Sequence, residues 1–168
     1  MIGKRVWVIR SGKHSVAHSL FLEKGVIALA RGDFDDLGGL AASADVFRAL
    51  KKREGMTFYR FIHELARDDL VLYPSRVVDG RVNFGLVSGA YSFRPSSPDF
   101  PHQRDVQWLG SVERKSLPRQ LDKEIGFFFQ FYRVTRNSDS FWALVESSVE
   151  RNSGKSLSEG KEVVARLD

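Results

Sequence analysis

Apolar and polar positions along the chain fall into short runs whose period switches between two and three-to-four residues. Lys4–Arg10 alternates, with Arg5, Trp7 and Ile9 on one face and Val6, Val8 and Arg10 on the other, which predicts a strand. Ser11-Gly12-Lys13 is a turn. Val16, Ala17, Leu20 and Phe21 then recur at helical steps, predicting a helix over His14–Lys24 with Ser15 as N-cap and Gly25 just past its end. Val26–Ala30 is a short buried strand, and the strand–helix–Gly–strand order predicts a crossover between neighbouring strands. Arg31–Leu40 is a polar loop around an isolated Phe34. Two helices follow: Asp45–Arg53 with Val46, Phe47 and Leu50 on one side, and Phe58–Asp68 with Phe58, Phe61, Ile62 and Leu65 in a stripe. Glu54–Thr57 joins them, with Thr57 as a cap.

Leu70–Tyr73 is a strand closed by Pro74, and Asp79-Gly80 is the strongest hairpin signal. It predicts antiparallel pairing of Leu70–Tyr73 and Val77–Val78 with Val82–Val87. The stretch Arg81–Leu109 holds two strand-like runs, Arg81–Val87 and Arg104–Leu109, around a Pro- and Ser-rich segment carrying Tyr91, Phe93, Arg94, Phe100 and His102. Ser116–Glu124 reads as a short helix with Pro118 in its first turn. Phe127–Val134 is the most apolar run and is expected to close the sheet, with Phe127–Phe129 in the core apart from one exposed ring. Ser140–Val149 patterns as an amphipathic helix, and residues 150–168 read as a linker or frayed end. Six or seven short strands mixed with four or five helices predict an α+β fold: a small, strongly curved mixed sheet or barrel flanked by helices. The expected organisation is one domain over residues 1–136 and a C-terminal helix and tail over residues 137–168.

Composition narrows this picture. A chain of 168 residues, 42% hydrophobic and 28% charged, can bury a real core. The absence of cysteine excludes disulfides, thiolate nucleophiles and Cys-ligated zinc. No apolar run approaches the roughly 20 residues needed to span a bilayer, and the N-terminus lacks a secretory apolar segment. A soluble cytoplasmic protein without a membrane partner is therefore expected. The net charge is +5, but residues 137–168 hold four basic and six acidic side chains, which leaves +7 on residues 1–136. A basic body is the electrostatic footprint of a nucleic-acid binder, and equally of a protein whose charge serves only solubility.

The catalytic templates are missing. There is no GxxxxGK[ST], no GxGxxG after a strand, no GxSxG and no HExxH. His14 and His18 could share a helix face, but no third ligand lies near them in sequence. Asp33, Asp35 and Asp36 cluster in a loop and Glu113 precedes Arg114-Lys115, a distant imitation of a metal-dependent nuclease. No catalytic residue, metal or cofactor is assigned. Aromatic and basic residues near predicted strand ends and loops form a better constellation. Trp7, Phe34, Tyr91, Phe93 and Trp108 could wall a base, although Trp7 and Trp108 equally suit the core. Arg10, Lys13, Arg31, Arg94, His102 and Arg104 could meet phosphates.

These pieces together resemble the EVE-like and YTH-like branch of the PUA superfamily. VWVIRSG and FLEKGVIALA resemble that family's opening strand, helix and second strand; DLVLYPS, VNFGLVSGAYSF, PHQRDVQWL and FFFQFYRV resemble its barrel strands. Gly85, Val87, Gly89, Tyr91, Phe93, Pro95, Pro101, His102, Arg104, Val106, Trp108 and Leu109 follow a pattern seen in modified-DNA-reading domains at the N-terminus of modification-dependent restriction proteins. The resemblance covers roughly residues 4–135. It implies a non-catalytic module that flips a modified, typically methylated, base of duplex DNA into an aromatic pocket, tethered to a nuclease domain or subunit. It also implies that Ser11, His14 and Ser15 contact the base edge. The family often has a Gly-Trp pair after the second strand; here Ala30-Arg31 stands there, and Phe34 is the nearest ring. An RNA-binding module of the same superfamily, a small metal-dependent nuclease using the acidic loop, and a protein-interaction domain are the competing expectations.

Overall fold

The computed structural model describes residues 4–76 and 80–167, with side chains as far as residue 154. Among the described residues, seven strands form one curled mixed sheet: β1 (Val6–Ile9), β2 (Val26–Leu29), β3 (Leu70–Pro74), β4 (Arg81–Val87), β5 (Ser92–Phe93), β6 (His102–Glu113) and β7 (Phe131–Arg133). Their order is β2-β6-β4-β3-β1-β7, with β5 added to β6; β1 runs parallel to β3 and all other pairs are antiparallel. Helices α1 (His18–Lys24), α2 (Ala44–Leu50), α3 (Lys52–Tyr59), α4 (Arg119–Glu124) and α5 (Ser138–Leu167) flank it. This is the expected α+β architecture of a small curved sheet between helices.

Strand β6 is the spine. Its C-terminal part pairs with β4, while Gln103 and His102 pair with β2 on one edge and β5 on the other. Phe84 faces Gly110 and Gly85 faces Trp108, so Leu109 is an extra residue that bends the strand. A Cβ on Gly85 would lie 2.7 Å from the Gln107 carbonyl oxygen, so only glycine fits beside the bulge.

Alternation along β1 sends its side chains to two cores. Trp7 and Ile9 join Phe21, Ile27, Leu29, Phe61, Val71 and Tyr73 on one face. Val6 and Val8 join Leu70, Leu72 and Phe84 on the other, under Leu121 of α4 and Phe141 and Val145 of α5. Each such side chain contributes on the order of 1.5–3 kcal/mol by leaving water.

The structure departs from the sequence reading in specific places. β2 pairs with β6 rather than with β1, so the first crossover does not join neighbours. The predicted first helix is interrupted: Gly12, His14 and Ser15 have φ of 80°, 56° and 57°, forming a tight turn before α1 begins at His18, and Ser15 caps nothing. The joint between the next two helices falls at Lys51, extended at φ −167°, and Thr57 lies inside α3. Gly55 permits this, since a Cβ there would collide with the Phe47 carbonyl. β6 is longer than the Arg104–Leu109 run, and β7 is shorter than Phe127–Val134. Phe127, Phe128 and Phe129 are 51%, 87% and 62% exposed rather than in the core. Helix α5 continues through the stretch read as a linker. The β3–β4 hairpin has the expected antiparallel register, Leu70 opposite Leu86 through Pro74 opposite Val82; Val77, Val78 and Asp79 lie outside the described residues.

Candidate functional site

An open cleft of about 920 Å³ lies where β1 leaves the sheet. Gly12 initiates it. With φ at 80° the residue turns the chain away from β7, and the Phe100 ring packs against it so closely that a Cβ would lie 2.8 Å from the ring edge. The turn that follows presents Lys13 and His14 to solvent. Arg10, Ser11, Ser15, Ala30, Pro74, Arg76, Phe128 and Gln130 add to the walls, with no carboxylate among the described lining residues.

Arg10 organises one wall. Its Nε and Nη2 donate to the Phe127 carbonyl at 2.9 and 2.6 Å, and its guanidinium lies 5.4 Å from the centre of the exposed Phe128 ring. Burial, and then the neighbouring charge of Arg76, lower the Arg10 pKa from its ordinary value, while its guanidinium stays charged at neutral pH. Like charges are thus held together, and among the described lining residues no acid balances them, which favours an anion in the cleft.

The floor is polar. Ser11 is buried, and its Oγ accepts from the Tyr73 hydroxyl at 2.9 Å, leaving the Ser11 proton available for an acceptor in the cleft. Nδ1 of His18 lies 2.7 Å from the Tyr73 oxygen and 3.3 Å from Ser75 Oγ, so the floor is braced from α1 and β3.

The residues expected at the site separate into three groups. Arg10, Ser11, Lys13, His14 and Ser15 meet in the cleft. Phe34, Tyr91 and Phe93 close around His102 instead: Tyr91 stacks on its ring at 5.9 Å, Phe93 lies at 5.3 Å, and Phe58 fills the place between Phe34 and His102. His102 is fully buried, and burial lowers its pKa from the usual value, so the imidazole is neutral and does not serve a phosphate. The remaining residues are held elsewhere. Trp7 and Trp108 donate their indole N–H groups to Asp69 at 3.0 Å and to the Phe21 carbonyl at 2.7 Å. Arg104 is buried, its Nε and Nη1 held by the carbonyls of Gly89, Phe61 and Leu65. Arg94 bonds Gln103 and Asp105, and Arg31 pairs with Asp35 at 2.6 Å.

Arg76, Gln130 and Phe128 were missed by the sequence reading. Arg76 lies beside a hairpin read only for its strands, and Phe128 sat in a run read as core. The acidic loop gathers no metal site: Asp33 pairs with Lys51, Asp35 with Arg31, and Asp36 accepts from the Gly38 N–H. Among the described residues no group of three or more His, Asp or Glu side chains could hold a metal, and no helix is long and apolar enough to cross a membrane.

Residues 7–125 match the family described as Domain of unknown function (DUF8426). No curated protein matches the chain. Among solved structures, "YTH domain-containing protein mmi1 and RNA complex" is similar at a TM-score of 0.48 and 11% identity, over 90% of this chain and 87% of that one. A hypothetical protein from Leishmania major is similar at 0.45 and 13% identity, over 86% and 96%.

Proposed function

The chain belongs to the DUF8426 family, and from the cleft we propose that it is a non-catalytic nucleic-acid-binding module that takes up one unstacked base. The observation that carries this reading is the combination of Arg10, Lys13, His14 and Arg76 with the exposed ring of Phe128 on walls whose described residues include no acid. A polyanion made of flat aromatic units satisfies both features at once. The base stacks on Phe128, worth about 1–3 kcal/mol, and Arg10, Lys13 and Arg76 meet the flanking phosphates. Ser11, His14 and Gln130 offer polar groups to the base edge.

Within this reading we assign duplex DNA carrying a modified, typically methylated, base as the ligand class. The base is flipped out of the duplex, and a nuclease domain or subunit supplies any cleavage. The resemblance of VNFGLVSGAYSF and PHQRDVQWL to modified-base-reading domains supports this narrower part. Extrusion costs a few kcal/mol, a cost that stacking and phosphate contacts offset.

The test is binding of labelled duplexes with methylated, hydroxymethylated and unmodified bases, and of matched RNA, by anisotropy over a salt series. Expected are tighter binding to one modified duplex and a slope of log K against log salt of about −2 to −4. Equal affinity for modified and unmodified duplexes removes the modified base from the reading. Preference for RNA turns it into an RNA-binding module, and no binding at low salt to any of these ligands sinks it.

A further inference from the structure

A second open groove, of about 890 Å³, adjoins the cleft, the two sharing Gln130. Arg48, Lys52, Arg53 and Arg60 line it from α2, α3 and the turn that follows, with Phe129 and Tyr132 also in the lining, and no carboxylate is among its described lining residues. Gln130 lines both depressions, Phe128 the first and Phe129 the second. Residues 128–130 therefore stand where the two depressions meet, with one exposed ring lining each.

The basic side chains of the groove differ from their neighbours. Lys51 pairs with Asp33 and Glu54, and Arg48 pairs with Asp45 at 3.0 Å. Among the described residues, Lys52, Arg53 and Arg60 have neither an ion pair nor a side-chain hydrogen bond. Three uncompensated cations over an apolar floor of Ala49, Met56 and Phe131 suit a ligand with negative charge and flat apolar faces. An acidic helix would match the charge. It would not explain why successive residues put one ring into each depression, a spacing that fits consecutive units of one strand.

Resting on the reading of the cleft as a base site, we propose that the Phe128–Gln130 segment is a wedge between consecutive nucleotides. One base enters the cleft against Phe128. Its neighbour stacks on Phe129, and the strand continues as single-stranded nucleic acid along the α2–α3 groove, with phosphates at Lys52, Arg53 and Arg60.

The test uses the full chain and labelled DNA duplexes bearing one methylated base, with single-stranded flanks of zero, two, four and six nucleotides on either side. Wild-type affinity is expected to rise with flank length and then level off. Lys52→Ala/Arg53→Ala/Arg60→Ala is expected to lose that gain, about tenfold or more, and to reduce the salt slope by about two. Phe129→Ala, at an exposed ring, gives the same loss of flank dependence without touching the basic residues and covers the case of a misfolded triple variant. Phe128→Ala weakens binding to every ligand regardless of flank. If both groove variants bind every flank length as wild type does, the wedge is overturned while the cleft reading stands. If wild type binds none of the ligands at low salt, both fall. If polyglutamate binds wild type better than any flank and the triple variant loses it, the groove is a protein-docking surface and the inference is overturned.

Discussion

The Tyr91 hydroxyl lies 2.8 Å from Nδ1 of His102, with the two rings stacked at an interplanar angle of 17°. Nε2 of the same imidazole faces the carbonyls of Phe34 and Arg31 at 3.2 and 3.3 Å, which requires the Nε2–H tautomer and makes Tyr91 the donor. Desolvation raises the Tyr91 pKa to about 12, which keeps that proton in place, and the phenol oxygen accepts the Leu37 N–H at 3.2 Å. The aromatic cluster is thus a brace that fastens the 31–37 loop to β6, and none of its rings lines the cleft.

Removing that hydroxyl is expected to act on the fold. Tyr91→Phe leaves the buried Nδ1 of His102 and the Leu37 N–H without their partner, at a cost of about 1–3 kcal/mol in urea unfolding. Nucleic-acid affinity of the folded variant is expected to match wild type. A loss of base discrimination with unchanged stability would return Tyr91 to the binding site.

His102 makes stability depend on pH. Its native pKa lies below the ordinary 6.5, chiefly through burial, so below about 6.5 the unfolded chain binds a proton that the native protein refuses. Native stability is fully present above that value and falls as pH drops through the native pKa. Urea midpoints measured between pH 7.5 and 5 should decline, with a slope from this group of up to about 1.4 kcal/mol per pH unit. A flat profile across that window would contradict the neutral buried imidazole.

Phe128→Ala separates binding from stability. The ring is 87% exposed, so the melting temperature is expected to stay within a degree or so of wild type. Affinity for a labelled nucleic acid should drop by about 1–3 kcal/mol, roughly 5- to 150-fold. Anisotropy titrations beside thermal melts read both quantities.

Gly55→Ala tests the close crossing of α2 and α3. The added Cβ would collide with the Phe47 carbonyl, and backbone cannot give way as a side-chain tip can. Destabilisation of about 3 kcal/mol in chemical unfolding is expected. Gly154→Ala, inside α5, meets nothing within 4 Å and serves as the clash-free comparison, expected to stabilise by up to about 1 kcal/mol.

Where alternation was strict the fold was legible: β1, β3 and β4 declare themselves through residues such as Val6, Trp7, Val8 and Phe84, which sort cleanly onto two faces. Phe127–Phe129 misled because hydrophobicity does not say which strand is available as a partner. β1 ends at Ile9, opposite Phe131, and Arg10 makes one more backbone bond, from its N–H to Gln130. Gly12 then turns β1 away, so the three phenylalanines have no strand to pair with. The clustering of Arg10–Ser15 at one cleft was legible, because a turn followed a strand there. Tyr91, Phe34 and Phe93 gather around His102 instead of the cleft, and loop residues that pack on a buried histidine look in sequence like residues that wait for a ligand. Arg94, His102 and Arg104 also lie outside the cleft lining, and a basic side chain in sequence carries no sign of whether carbonyls and carboxylates already hold it.

The contact between Phe100 and Gly12 gives the turn at Gly12–Ser15 a dependence that lies outside the cleft lining. The ring comes from the far end of the segment between β5 and β6, yet it occupies the space a side chain at position 12 would need. Sequence change in residues 94–99 can therefore alter the register of the cleft without replacing any residue that lines it. Relatives could diverge in ligand preference while keeping every cleft residue the same, and comparing cleft residues alone would miss the difference.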